Sequence, residues 1–202
     1  MSLARTALVS NNSFSGAISG QLCIKMHAPV YSTDADLSYF NLVCANKFTV
    51  GAAGSQSAIE MCPQTNNADE RVEDSICERN WFVNTASATG SITAGSTRMT
   101  VRNNVASFVT TANELFCNAE RRGTAPAPTP DDVWIYSNSI YTDVNRAQNR
   151  PIRFGETNPI TNAICYDNVF WAPNNVQAGG NAPESMHVYV NATGTVPSTG
   201  TP

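Results

Sequence analysis

Gln21-Leu22-Cys23-Ile24-Lys25-Met26-His27 alternates without a break: Leu22, Ile24 and Met26 fall on one side, Gln21, Cys23, Lys25 and His27 on the other. Successive side chains of an extended strand point to opposite faces, so this is the pattern of a strand with one face in a core. The stretch from Met186 to Asn191 repeats it, with Met186, Val188 and Val190 opposite His187, Tyr189 and Asn191. Shorter apolar or aromatic runs follow at 37–43, 47–50, 81–83, 98–101, 133–136, 140–144 and 164–171. Clusters of Asn, Gly, Pro and Ser between them supply turns. Many short strands at fairly regular spacing predict an all-β fold, a β-sandwich of jelly-roll kind or a closed barrel. No internal repeat is read from the pattern.

One segment departs from the two-residue period. Val105, Phe108, Val109, Ala112, Leu115 and Phe116 recur at three and four residues, Asn103 or Asn104 offers a cap, and Gly123 follows Arg121-Arg122. This predicts a helix, and the fold is expected to hold at most one or two short ones. The run from Thr124 to Pro130 is proline-rich and cannot donate to a sheet ladder, so 124–130 is expected to be an exposed loop. Residues 1–202 read as a single domain with flexible arms at about 1–20 and 191–202, both rich in small polar residues. The eleven residues from Ser91 to Val101, Ser-Ile-Thr-Ala-Gly-Ser-Thr-Arg-Met-Thr-Val, resemble strand–turn–strand units of phage tail fibres. The resemblance implies a hairpin there.

Six cysteines, Cys23, Cys44, Cys62, Cys77, Cys117 and Cys165, are spread along the chain with no Cys-x-x-Cys. Their even number and wide spacing predict that they are mostly paired in disulfides of undetermined connectivity, the alternative being buried reduced thiols, and speak against zinc or haem sites. The opening residues lack the apolar run of an export signal. A protein made in a host cytoplasm that acquires its bridges after release is one reading of that combination.

Charged residues are only 14% of the chain, against 22 Asn, 18 Ser and 20 Thr, and two lysines stand against ten arginines. Arginine tolerates desolvated contacts better than lysine, so the surface suits burial against another subunit. A net charge of −4 opposes binding to a polyanion, and no sequence-specific nucleic-acid contact, membrane span or cofactor is expected.

Chemistry-bearing constellations are few. Asp131-Asp132 beside Trp134 would need Glu60, Glu156 or Asp167 to complete a glycosidase pair, since neighbours on a strand face apart. The acidic stretches 34–36 and 66–74 lack the spacing of a calcium loop. His27 and His187 are the only histidines available to activate a nucleophile. No catalytic or metal centre is therefore expected. The reading is a structural, self-assembling component of a virus or phage particle, a capsid, cement or tail protein whose partners are its own copies and neighbouring subunits, located in the virion. The alternative is an extracellular adhesin or carbohydrate-binding module, with Trp81, Trp134, Trp171, Tyr136 and Tyr141 as a sugar platform.

Overall fold

The computed structural model describes residues 6–16, 23–26, 37–50, 57–63, 71–85, 90–109, 115–120, 129–142, 151–155, 160–171 and 188–190. The chain coils, and each circuit lays down three short strands. The first circuit holds β1 (Leu8–Ser10), β2 (Ser13–Gly16) and β3 (Ile24–Met26). A short strand β4 (Leu37–Tyr39) leads into the second, β5 (Leu42–Cys44), β6 (Lys47–Val50) and β7 (Ile59–Met61). Another, β8 (Arg71–Glu73), leads into the third, β9 (Ile76–Glu78), β10 (Trp81–Val83) and β11 (Ile92–Ala94). Then come β12 (Thr100–Arg102), β13 (Val105–Phe108) and β14 (Cys117–Ala119), followed by β15 (Asp131–Tyr136), β16 (Ser139–Thr142) and β17 (Ile152–Phe154). The last circuit is β18 (Thr161–Tyr166), β19 (Val169–Trp171) and β20 (Val188–Val190).

Corresponding strands of successive circuits pair in parallel into three six-stranded sheets, which we call sheets I, II and III, so the chain makes six rungs of a β-solenoid. Sheet I runs β1-β5-β9-β12-β15-β18, sheet II β2-β6-β10-β13-β16-β19 and sheet III β3-β7-β11-β14-β17-β20. β4 and β8 form a separate parallel pair at the corner between sheets III and I.

This overturns the sandwich, jelly-roll or barrel expectation. Those folds join neighbouring strands by hairpins and pair them antiparallel. Here the strand after each corner belongs to a different sheet, and the coil itself is the crossover that parallel pairing requires. Period-two alternation marks a half-buried strand in either architecture and says nothing of its direction. The Ser91–Val101 hairpin fails for the same reason, since β11 and β12 lie in different sheets.

The helix expected from Val105 is absent. Asn103 adopts a left-handed φ of 53° and turns the chain into β13, where Ala106 and Phe108 are buried and Val105 is half exposed. Residues 110–114, which carried the rest of the helical spacing, lie outside the described residues, as do most of the proline-rich stretch 124–130 and all of 191–202. β1 and β2 fall inside the segment expected to be an arm.

Three inward files fill the interior. Val9, Val43, Cys77, Val101, Ile135 and Cys165 stack on sheet I. Phe14, Phe48, Phe82, Ala106, Ile140 and Phe170 stack on sheet II. Ile24, Ile59, Ile92, Cys117 and Ile152 stack on sheet III. Equivalent residues lie one strand spacing apart, about 4.8 Å, so like side chains meet face to face. Phe14 on Phe48 and Phe48 on Phe82 are parallel stacks with centroids 4.9 and 5.0 Å apart.

Candidate interaction surfaces

The corner from sheet I to sheet II takes two residues in every rung. The first is left-handed: Asn11, Ala45, Arg79, Asn103, Ser137 and Asp167 all have φ between 50° and 58°. Left-handed backbone costs a residue with a Cβ about 1–2 kcal/mol. The second residue, always asparagine, compensates. Asn46 Nδ2 donates to Asn80 Oδ1 at 3.1 Å and to Val9 O at 2.9 Å, while Asn46 N donates to the same Asn80 Oδ1 at 3.0 Å. Asn12, Asn46, Asn80, Asn104, Asn138 and Asn168 continue this ladder through all six rungs. It satisfies backbone groups that the sharp corner removes from the sheets. The sequence reading missed it.

A second left-handed file, Phe40, Asp74, Arg98, Asp132 and Asn162, marks the entry to sheet I. Arg98 grips Asp74 with two hydrogen bonds of 2.7 and 2.9 Å and reaches Glu73 at 2.6 Å. The hydrogen bond from Arg98 holds the Asp74 carboxyl below its ordinary range. Glu73 and Asp74, part of the acidic stretch 66–74, are thus ion-paired to arginine.

Sheets I and II present aromatic outer faces on either side of the asparagine corner. On sheet I, Trp134 is exposed beside Tyr136, which stacks on Tyr166 with centroids 4.8 Å apart. Arg102 donates to Tyr136 Oη at 3.0 Å and to Glu78 Oε2 at 2.7 Å, and Arg79 reaches Glu78 from the other side at 2.8 Å. Burial works to raise the Glu78 carboxyl, but the hydrogen bonds and charges of Arg102 and Arg79 outweigh it and hold it low. On sheet II, Trp81 and Trp171 are exposed, Tyr141 leans on Trp171 at 5.2 Å, and Lys47 Nζ lies 4.4 Å over the Trp81 ring. The platform expected from Trp81, Trp134, Trp171, Tyr136 and Tyr141 therefore divides between two faces.

Sheet III differs. Glu60, Thr93 and Asn118 alternate with its inward residues yet are buried, and Asn118 donates to Glu120 at 2.7 Å while accepting from Arg153 at 3.3 Å. Ser57 and Thr93 hydroxyls meet at 2.6 Å.

The structure holds Glu60 away from Asp131. Glu60 sits three rungs from Asp131, about 14 Å at the strand spacing, beyond the reach of a glycosidase pair. Asp131 Oδ1 accepts from Thr161 and Asn162 at 2.8 Å each. Asp132 and Asp167 stand at opposite ends of sheet I strands. Glu156, His27, His187 and the acidic stretch 34–36 lie outside the described residues. Among the described residues no group of three or more His, Cys, Asp or Glu is placed to share a metal ion.

The expected pairing of the cysteines is also overturned: all six are free thiols. Cys77 and Cys165 share a file but are three rungs apart, about 14 Å, twice the Cα separation a bridge tolerates. Cys44 occupies the outward row beside Glu78, whereas Cys77 points inward. Cys117 stacks in the sheet III file. Burial raises the thiols of Cys23, Cys77 and Cys117, and that of Cys165 to about 11. These cysteines act as small core hydrophobes.

Partial burial of core residues concentrates at the two ends of the coil. Among the described residues, the apolar side chains packed against the core but only partly covered are Val9, Phe14, Cys23 and Met26 in the first rung and Cys165 and Phe170 in the last. Leu8, Val169 and Trp171 at those same ends are 66%, 61% and 64% exposed. Comparison with known protein families, with curated proteins and with solved structures gives no match.

Proposed function

We propose that this chain is a structural, self-assembling protein, and that its setting is a virus or phage particle. The observation that carries the reading is the concentration of half-covered core residues in the first and last rungs, on strands whose outer edges pair with no described strand. Open strand edges backed by apolar side chains are templates for further pairing. Low charge and the scarcity of lysine support the same reading, because lysine is the usual guard of such edges. Light scattering and sedimentation of the purified chain across a concentration series test it. Growth in mass with concentration is expected, and a monomer throughout would refute self-assembly. Copurification with particle components tests the setting.

The aromatic outer faces favour a second reading, an extracellular carbohydrate-binding module. Trp171 offers an exposed ring beside the partly buried Tyr141 on one sheet face, and Trp134 offers one beside the partly buried Tyr136 on the next. Retention on insoluble polysaccharides, lost on Trp171→Ala, is its test.

A further inference from the structure

We infer that the solenoid stacks end to end, the last rung of one copy continuing in register into the first rung of the next. The inference rests on the self-assembly reading and specifies its interface. Three independent features of the two ends match.

The first is the asparagine ladder. In each interior rung the asparagine N–H and Nδ2 both donate to the next Oδ1, as Asn138 does to Asn168 at 3.1 and 2.9 Å. Asn168 is the last member, and among the described residues its backbone N–H donates to nothing. Asn12 is the first, and among the described residues its Oδ1 accepts nothing. One end of the ladder holds a spare backbone donor, the Asn168 side-chain amide being taken by Ile135 O and Tyr166 O, and the other a spare acceptor. Setting Asn12 of a second copy one strand spacing beyond Asn168 supplies the missing bond in the geometry already repeated five times.

The second is the backbone edge. Within the coil a strand-opening N–H donates back to the preceding rung, as Lys47 N does to Asn12 O and Val169 N to Asn138 O. Ser13 N–H is the equivalent donor of the first rung, and Asn168 O the equivalent acceptor of the last. The same register brings them together.

The third is the side-chain match it creates. Cys165 meets Val9 on sheet I and Phe170 meets Phe14 on sheet II, both apolar on apolar and facing inward. The partly covered core residues of the two ends become interior, and Phe170 on Phe14 extends the ring file that Phe14, Phe48 and Phe82 begin. Outward, Val169 falls beside Ser13. Such a head-to-tail contact uses two different surfaces of the chain and, unless rotation closes a ring, builds a filament. Six rungs at about 4.8 Å give an axial rise of about 29 Å per copy.

Ser13 and Val169 make the test, since they occupy opposite ends of one molecule and are both exposed, so any coupling between them arises between copies. The double variant Ser13→Lys, Val169→Lys places like charges side by side at the junction, while Ser13→Glu, Val169→Lys places opposite ones. Wild-type protein is expected to form rods with a rise of about 29 Å by electron microscopy. The double-lysine variant should dissociate at least about tenfold more readily by sedimentation, and the Glu/Lys variant should restore assembly. Circular dichroism confirms that each variant keeps its strands. Assembly that ignores the charge pair, or that lacks this rise, overturns end-to-end stacking and leaves self-assembly through another face. A wild-type monomer at every concentration overturns both.

Discussion

Asn80 Nδ2 lies 3.1 Å from Asn104 Oδ1 across 24 residues of chain, and Asn46 Nδ2 lies the same 3.1 Å from Asn80 Oδ1 across 34. The spatial repeat is constant while the sequence repeat is not. The difference is absorbed mainly between sheets III and I, where residues 95–99 join β11 to β12 directly but 62–75 join β7 to β9 by way of β8.

Asn104 is fully enclosed, accepts from Asn80 N and Nδ2, and donates to Cys77 O and Asn138 Oδ1. Asn104→Ala strands several buried polar groups at once and is expected to cost about 3 kcal/mol or more. Asn12→Ala, at the exposed end of the ladder, should cost about 1 kcal/mol. Equilibrium urea unfolding of the two variants measures the contrast, and equal losses would count against a ladder that bears on stability.

Gly95 has no room for a Cβ. One built there falls against Cys62 Cβ and 2.7 Å from the Glu120 carbonyl oxygen, so a backbone atom would have to move. Gly95→Ala is expected to destabilise by about 1–3 kcal/mol, as overpacking does. A thermal melt of the variant reads it directly.

Asp74 and Glu78 titrate below the ordinary carboxylate range in the folded chain. A depressed folded value means their stabilisation is complete above the unfolded value of about 4 and disappears as pH falls through the folded value. The melting temperature should therefore be flat from pH 7 to about 5 and fall below about 4. Arg98→Ala removes the partner that depresses Asp74, so the variant should lose stability at pH 7 and show a shallower acid decline. An unchanged acid slope would exclude the Arg98 pair as its source.

All six thiols are expected to be free in native protein, giving the mass of the reduced chain. Cys44, Cys62, Cys77 and Cys117 are buried and should resist iodoacetamide until the chain is unfolded, as should Cys165, whose thiol stands at about 11. Mass spectrometry after timed alkylation checks this. A loss of about 2 Da per cysteine pair without added oxidant would refute it.

The strands themselves were legible. Lys47–Val50 and Trp81–Val83 are strands as the apolar runs indicate, and Ile24 and Met26 face the core opposite Lys25 as alternation requires. Direction and circuit were not. Each rung carries a short module ending in a left-handed residue, an asparagine and, two positions on, an apolar core residue: Asn12 with Phe14, Asn46 with Phe48, Asn80 with Phe82, Asn104 with Ala106, Asn138 with Ile140, Asn168 with Phe170. Aligned on the asparagine these are plain. Circuits of 34, 34, 24, 34 and 30 residues give no fixed period to search for, and six ladder asparagines hide among 22. The cysteines misled because an even count suits a disulfide framework as well as it suits a file of small core residues, and only rung position separates the two.

The two-residue corner between sheets I and II never varies, whereas residues 95–99 and 120–130 span the same corner between sheets III and I in different rungs. One corner is thus a ratchet and another a port. A single residue inserted beside Asn80 would invert the next strand, turning Phe82 to water and Trp81 into the core. A foreign peptide spliced between β14 and β15 would leave every rung in step. The scaffold can therefore change what it displays along one seam without renegotiating how it is wound.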